Sequence, residues 1–197
     1  MEIHIDNLER EVADFLQKHN ALPTRWCVIT GAPSSGKTSI IHELASKGFK
    51  TNHDISRQYL EGLISKGISK LDARHSEENL QRMLFLLMVK NEIDLPTNEL
   101  IFLDYALPDN VAFQRMANIN LREDVLKSST VFRYWQVFIM EPLPFESDHV
   151  RTENTEYQAE ITELLESVYK DLGYDCIRVP AFNIHIRIKY ILDRLKN

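Results

Sequence analysis

The chain has 197 residues, 44% of them hydrophobic and 26% charged, a composition typical of a globular domain with one sizeable core. Its formal net charge is −6, from 23 basic and 29 acidic residues, so nothing in the overall charge favours nucleic-acid binding. The acidic N-terminus lacks the apolar segment of a signal peptide, and the longest apolar run, Met83 to Val89, is too short to cross a membrane. We therefore expect one cytoplasmic domain spanning residues 1–197.

Apolar residues recur at helical spacing near the start of the chain, which predicts an N-terminal helix over residues 7–19. The apolar, β-branched run from Trp26 to Thr30 then predicts a buried strand. Residues 39–45 follow with the pattern of a helix. This part of the chain therefore predicts a strand and a helix joined by a short loop.

The segment between that strand and that helix, Gly31 to Thr38, fits the phosphate-binding P-loop template. The flanking elements disfavour a chance match, because the template requires a strand before the loop and a helix after it. We expect backbone N–H groups to cradle phosphates, Lys37 to reach the β- and γ-phosphates, and Thr38 to bind Mg²⁺. The candidate nucleotide-binding residues are Gly31, Ala32, Pro33, Ser34, Ser35, Gly36, Lys37, Thr38 and Ser39.

Strands and helices alternate along the rest of the chain. Further strands are predicted at residues 49–53, 100–103, 134–139 and 174–179. Helices are predicted at residues 55–64, 77–93, 109–127, 157–172 and 188–195, with a charged, lid-like loop at 146–156. This alternation predicts a three-layer α/β domain with a five-stranded parallel sheet in the order 2-3-1-4-5, common to small P-loop kinases.

Two carboxylates follow predicted strands at the edge of the sheet where ligands of such folds bind. Asp104 ends a continuous apolar strand, the pattern of the Mg²⁺-associated second motif of P-loop proteins, with helix capping as the alternative. Asp54 ends the second strand, where a carboxylate can accept the proton of an acceptor hydroxyl. Capping of the helix at 55–64 is the alternative for Asp54, and both roles can hold together.

The chain resembles, over about residues 26–192, the P-loop ATPase and kinase family that contains the nicotinamide-riboside-kinase domain of NadR-type regulators. Beyond the P-loop, the resemblance is carried by an ordered set of short motifs. These are Asp54-Ile55-Ser56-Arg57, Leu103 to Asp109, Leu143-Pro144-Phe145, Asp148 to Glu153, Leu172-Gly173-Tyr174, and Val179-Pro180 with Arg187 beyond. One departure is Tyr105, because the family usually has an arginine directly after the strand-three aspartate.

The remaining candidates are assigned by their positions in such folds, each against a plainer alternative. Arg57 is a candidate for holding an acceptor's phosphate or carboxylate, or else forms an exposed ion pair. Asp109 is a candidate for substrate binding, or else caps the helix that follows. Arg151, on the lid-like loop, is a candidate for stabilising the transferring phosphoryl group, or else is a solvated arginine. Phe182, after the fifth strand, is a candidate for stacking on the nucleotide base, or else packs in the core.

These observations favour a kinase that moves the γ-phosphoryl group of Mg²⁺-ATP, or of GTP, to a hydroxyl of a nucleoside-like metabolite. Lys37, Asp54 and Arg151 are its expected catalytic residues. The alternative is a nucleotide-dependent switch that hydrolyses the triphosphate slowly and acts through a partner. A ring-forming ATPase is disfavoured because Asp104 is followed by Tyr105 and not by a water-activating glutamate. The sequence leaves the acceptor and the oligomeric state open.

Overall fold

The computed structural model describes residues 5–53, 55, 58, 59, 62, 77–143 and 155–195. Its helices are α1 (Ile5–Lys18), α2 (Lys37–Ser46), α3 (Glu77–Ile93), α4 (Leu107–Met116), α5 (Glu123–Val131), α6 (Thr155–Asp171) and α7 (Ile184–Leu192). Its strands are β1 (Leu22–Pro23), β2 (Trp26–Gly31), β3 (Lys50–Asn52), β4 (Ile101–Asp104), β5 (Phe132–Arg133), β6 (Gln136–Met140) and β7 (Cys176–Val179). Within the described ranges, no helix combines the length and apolarity that a membrane span requires.

Five of these strands form one parallel sheet in the spatial order β3-β4-β2-β6-β7. Numbered along the chain within this sheet alone, that order is 2-3-1-4-5. The strand that leads into the P-loop therefore lies at the centre, where Ile29 is paired with Asp104 of β4 and with Phe138 of β6. Because the strands are parallel, their carboxyl ends meet at one edge of the sheet, and the P-loop lies at that edge.

Helices cover both faces of the sheet, which makes the three-layer α/β fold that the sequence predicts. Every residue of β2, β4 and β6 is buried, as expected for parallel strands covered on both faces. Alternate residues of β2 face different layers: Trp26 and Val28 pack with α1, α3, α4, α5 and α6, whereas Cys27 and Ile29 pack with α2 and α7.

The predicted helix over residues 109–127 is divided into α4 and α5. The break follows Met116, and Asn118 adopts a left-handed backbone conformation with φ of 54°. Asparagine is one of the few residues that tolerates this conformation, which cannot continue a right-handed helix. The break turns α5 back so that β5 pairs with β1 in a separate two-stranded sheet, which the sequence pattern did not predict.

A buried carboxylate on α3 joins three elements beneath the sheet edge. Glu92 is 4% exposed and accepts hydrogen bonds from the Leu107 N–H (3.1 Å) and the Tyr134 hydroxyl (2.7 Å). Burial raises the pKa of Glu92 to about 8, and the nearby charge of Asp109 adds to the shift. Glu92 thus fixes α3 against the start of α4 and the segment before β6. Its burial disfavours the charged form of the carboxyl group.

This burial predicts a pH-dependent stability. The unfolded chain releases the Glu92 proton near its ordinary pKa of 4.5, whereas the folded chain holds it to about 8. Between these values the folded state binds more protons, so the free energy of unfolding falls as pH rises, by at most about 1.4 kcal/mol per pH unit. Glu92→Gln should remove this contribution, measured by urea unfolding between about pH 5 and about pH 8.

The matched control is Glu160→Gln on the exposed side of α6, which should keep the wild-type slope. Asp109, whose pKa burial raises to about 7, contributes in the same direction, so the slope of Glu92→Gln should be reduced and not abolished. Equal slopes for the wild type and Glu92→Gln would contradict the assignment.

Candidate functional site

The P-loop is built on two glycines whose backbone conformations exclude a side chain. Gly31 ends β2 with φ of 148°, and a Cβ atom there would lie 2.6 Å from the carbonyl oxygen of Met140 on β6. Gly36 precedes α2 with φ of 88°, a left-handed conformation. The loop can therefore close against β6 and turn into the helix only with glycine at both positions.

Side chains from inside and outside the loop hold its carbonyl groups. Lys37 Nζ donates to the carbonyls of Gly31 (2.9 Å) and Ala32 (2.8 Å). Gln158 of α6 donates to the Pro33 carbonyl at 3.2 Å, and Arg187 of α7 donates to the Ser35 carbonyl at 2.6 Å.

Those two outer contacts orient peptide planes of the loop. In a trans peptide the N–H points opposite to the carbonyl. The bonds from Gln158 and Arg187 therefore point the Ser34 N–H away from Gln158 and the Gly36 N–H away from Arg187. N–H groups of a loop beside a helix N-terminus form an anion site when they converge, and phosphate binding by this loop stays a prediction.

Arg187 also anchors the P-loop to the rest of the sheet edge. Its guanidinium donates to the carbonyl of Glu141, just after β6, and to that of Pro180, just after β7, at 2.7 and 2.8 Å. The residue is 2% exposed, and burial lowers the pKa of its guanidinium, which still stays protonated near neutral pH. Sequence reasoning assigned Arg187 no role, because nothing in the local pattern of α7 marks this arginine as buried.

Thr38 and Asp104, the predicted metal ligands, are brought together. Asp104 ends β4, which pairs directly with β2, the strand that leads into the P-loop. Asp104 is 6% exposed. The Thr38 hydroxyl donates to a carboxylate oxygen of Asp104 at 3.1 Å. A hydroxyl and a carboxylate are oxygen donors of the kind that Mg²⁺ prefers, so these residues fit the ion. Their role as ligands stays a prediction.

Asp109 lies beneath the site. It is fully buried, and one carboxylate oxygen accepts from the Thr30 hydroxyl (2.9 Å) and the Ala106 N–H (3.3 Å). Burial raises the pKa of Asp109 to about 7, while hydrogen bonds and the charge of Lys37 oppose the shift. The contact with Ala106 places Asp109 as a cap of α4, the alternative given for it from the sequence. Its assignment to the substrate stays a prediction.

A cavity of about 630 Å³ opens among α3, α4 and α5, and Tyr105, the residue after Asp104, forms part of its lining. Its lining combines aromatic rings, amides and arginines: Arg82, Phe85, Tyr105, Asn110, Phe113, Gln114, Ile119, Asn120, Arg122 and Val125. Sequence reasoning missed this cavity, because it is assembled from residues on three helices and the loop between two of them.

Tyr105 is fixed at one end of this cavity. It adopts φ of 78°, stacks on Phe113 with ring centroids 5.8 Å apart, and donates its hydroxyl proton to Asn110 at 3.1 Å. On the Asp104 side, Tyr105 also lines a narrower cleft with His53 and other residues. The residue that replaces the family's usual arginine thus separates the cavity from the Thr38–Asp104 pair.

Three predicted site residues, Asp54, Arg57 and Arg151, lie outside the described residues, and their roles stay predictions. Phe182 lies in the segment after β7, and 47% of its surface is exposed. The alternative of core packing for Phe182 is therefore wrong, because a core aromatic would be buried. Its stacking on a nucleotide base stays a prediction.

Comparison with known proteins gives one family and several similar folds. The model of an AAA domain family matches residues 26–187. A deoxyadenosine kinase from M. mycoides, solved with products, has a TM-score of 0.60 and 16% identity, over 86% of this chain and 98% of that one. Thymidylate kinase from Candida albicans has a TM-score of 0.55 and 14% sequence identity. That match covers 87% of this chain and 90% of the kinase.

A NadR protein solved in complex with NR has a TM-score of 0.57 and 16% identity, and the match covers 86% of this chain and 49% of that one. At such identities these likenesses show the fold, a P-loop domain of the kind found in nucleoside and nucleotide kinases. A comparison of the sequence with curated proteins gives no significant match.

The backbone of Gly31 lies so close to the Met140 carbonyl that adding one methyl group at Gly31 should weaken nucleotide binding. Gly31→Ala places Cβ against the Met140 carbonyl, so the loop must move and its affinity for a nucleoside triphosphate should fall at least about tenfold. Titration calorimetry with Mg²⁺-ATP measures this. Gly48→Ala is the matched control: Gly48 also has positive φ, 88°, but a Cβ there meets nothing within 4 Å. Gly48→Ala should lower the free energy of unfolding and leave the affinity for Mg²⁺-ATP unchanged. Wild-type affinity in Gly31→Ala would contradict the geometry.

Proposed function

The chain belongs to the AAA domain family, and we propose that it is a kinase that transfers the γ-phosphoryl group of ATP or GTP to a hydroxyl of a small, nucleoside-like acceptor. The observation that carries this proposal is the contact of Thr38 with Asp104 at the sheet edge that bears the P-loop, together with a ring-lined cavity whose lining includes Tyr105, the next residue in the chain. A phosphoryl donor and an acceptor alcohol would meet at that edge.

On the donor side, the P-loop amides and Lys37 hold the phosphates, and Thr38 with Asp104 hold Mg²⁺. The ion, when bound, neutralises charge on the β- and γ-phosphates. Phosphoryl transfer needs mainly positioning and charge stabilisation, since there is little covalent chemistry for side chains to perform. The rigid attachment of the loop through Arg187 and Gln158 supports this role, because it fixes the positions of the amides before the nucleotide binds.

On the acceptor side, a cavity of about 630 Å³ lies within the range of sites for small organic ligands. The stacked pair of half-buried rings, Tyr105 and Phe113, lines the cavity and suits a planar ligand ring, and the neighbouring amides offer donors and acceptors for its edge. The similar solved structures, a deoxyadenosine kinase, a thymidylate kinase and a NadR protein with bound NR, support a nucleoside-like acceptor.

Asp54 is proposed as the carboxylate that accepts the acceptor's proton. Its two neighbours in the chain, His53 and Ile55, line the cleft that Asp104 also lines, which supports this role. Arg151 is proposed to stabilise the transferring group, and Arg57 to hold an anionic part of the acceptor. Phe182 is proposed to stack on the nucleotide base after β7.

A second candidate, a nucleotide-dependent switch with slow hydrolysis, is favoured by one observation. Tyr105, a neutral side chain, stands beside Asp104 where the family usually has an arginine. A switch needs the P-loop and its metal ligands but no acceptor cavity. A screen of ATP consumption across nucleosides, cofactor precursors and phosphoinositides separates the two: one acceptor that stimulates turnover supports the kinase, and a flat response supports the switch.

Two variants test the proposed roles. Lys37→Ala should abolish nucleotide binding or turnover, because it removes the charge that meets the phosphates, whereas Lys47→Ala, at the exposed end of α2, should behave as the wild type.

Asp54→Asn should keep the affinity for ATP and lose transfer to the acceptor. Titration calorimetry and labelled-phosphate transfer measure both. Unchanged ATP affinity in Lys37→Ala would count against the P-loop site, and retained transfer in Asp54→Asn would remove Asp54 from the mechanism.

A further inference from the structure

The two central strands of the sheet separate just beyond the last pair of residues that joins them. β2 and β4 are paired as far as Ile29 and Asp104. From there β2 runs through Thr30 into the P-loop, whereas the chain after Asp104 turns at Tyr105 and enters α4. We call the place where the two strands part the fork. The nucleotide loop leaves from one side of the fork, and the predicted metal ligand Asp104 lies on the other.

One buried carboxylate oxygen spans the fork. Asp109 Oδ2 accepts from the Thr30 hydroxyl at 2.9 Å and from the Ala106 N–H at 3.3 Å. Both side chains, Thr30 and Asp109, are buried, so water does not compete for these bonds. Thr30 directly precedes the first P-loop glycine, and Ala106 follows Asp104 by two residues. A single oxygen thus joins the start of the P-loop to the turn after Asp104.

The turn after Asp104 has a backbone conformation that must be held by its surroundings. Tyr105 has φ of 78°, a left-handed conformation that is strained for a bulky residue. Such a conformation persists only where contacts on several sides fix it. The Tyr105 N–H donates to the Ile29 carbonyl at 3.4 Å, and the bond from Ala106 to Asp109 fixes the other end of the turn. The placement of Asp104 therefore depends on contacts that follow it in the chain.

Helix capping alone does not account for a carboxylate at position 109. A neutral amide side chain can accept the same N–H at this position of a helix, as glutamine does in capping boxes. Burial raises the pKa of Asp109 to about 7, so the fold disfavours the ionised carboxylate. Around it lie Lys37 of α2, Glu92 of α3 and Tyr169 of α6. A titratable group that is buried beside a ligand site, against the cost of desolvation, is a candidate for a functional role.

We propose that Asp109 is a positioning residue for the Mg²⁺ site of Thr38 and Asp104. Its carboxylate holds Thr30 and Ala106 together across the fork, which keeps Asp104 within reach of the P-loop. The Thr38 hydroxyl and Asp104, 3.1 Å apart, are then already placed for the ion. Side chains behind metal ligands commonly set the affinity for the metal, because they fix the orientation of the ligands. This role rests on the proposed function, which places Mg²⁺-ATP at this edge of the sheet.

The Mg²⁺ dependence of ATP binding tests this role. Titration calorimetry gives the dissociation constant of ATP in EDTA and in saturating Mg²⁺, and the ratio of the two constants measures the contribution of the ion. Thr30→Val is the informative variant, because it removes the hydroxyl that spans the fork and leaves the contact of Asp109 with Ala106 in place. Thr30→Val should reduce the ratio at least about tenfold. Its affinity for ATP in EDTA should stay within about twofold of the wild type.

Three further variants separate the hydroxyl from the packing of the strand. Thr30→Ser keeps a hydroxyl and should restore a ratio near the wild-type value. Thr24→Val is the matched control and should keep the wild-type ratio, because Thr24 is also buried but donates to the Arg133 carbonyl, at 3.1 Å, near the opposite end of β2. Asp109→Asn should lower the ratio in the same direction, since a neutral amide accepts more weakly than a carboxylate. It replaces Thr30→Val in the test if circular dichroism shows that Thr30→Val is unfolded.

The outcomes distinguish this role from helix capping and from the kinase proposal. A wild-type ratio in folded Thr30→Val and Asp109→Asn overturns the positioning role and leaves the kinase proposal intact. Equal losses of affinity with and without Mg²⁺ also overturn it, since they indicate a loosened loop and not a displaced metal ligand. Wild-type protein that binds no ATP, or binds it independently of Mg²⁺, contradicts the donor site and with it this role. A reduced ratio in Thr30→Val without transfer to any acceptor upholds the positioning role and contradicts the kinase.

Discussion

The candidate site depends on the three hydrogen bonds that Arg187 donates from α7. They join the carbonyl of Ser35 in the P-loop to those of Glu141 and Pro180, which follow the two neighbouring strands of the sheet. A guanidinium that is buried without a carboxylate in contact is costly unless its donors are satisfied. Three backbone carbonyls accept from three of the five N–H donors of Arg187. The same contacts fix the orientation of the Ser35–Gly36 peptide in the loop.

The sheet edge then divides into two halves on either side of Asp104. Thr38 of the P-loop contacts Asp104 on one side, and Tyr105, the next residue in the chain, lines the cavity among α3, α4 and α5 on the other. Tyr105 stands between them, held by Phe113 and Asn110. An arginine there would bring a mobile charge close to the metal ligands. A tyrosine gives a neutral side chain that is stacked on Phe113.

The local part of this arrangement could be predicted from the sequence. The P-loop is a contiguous motif, and Asp104 ends an apolar strand, so sheet geometry alone brings it to Thr38. The contacts of Arg187 and Gln158 with the loop could not be predicted, because they join residues more than a hundred positions apart. The cavity likewise depends on the break at Asn118, where a tolerated left-handed residue interrupts a segment whose apolar spacing is otherwise helical.

The most direct test of this account is the affinity of Arg187→Met for Mg²⁺-ATP, measured by titration calorimetry. Arg194→Met, an exposed arginine on the segment after α7, is the control, and circular dichroism confirms that both variants are folded. Arg187→Met should bind Mg²⁺-ATP at least about tenfold more weakly, a loss of about 1.4 kcal/mol, because the Ser35 carbonyl of the loop loses its partner. A folded Arg187→Met with wild-type affinity would contradict the claim that this residue prepares the loop for phosphate.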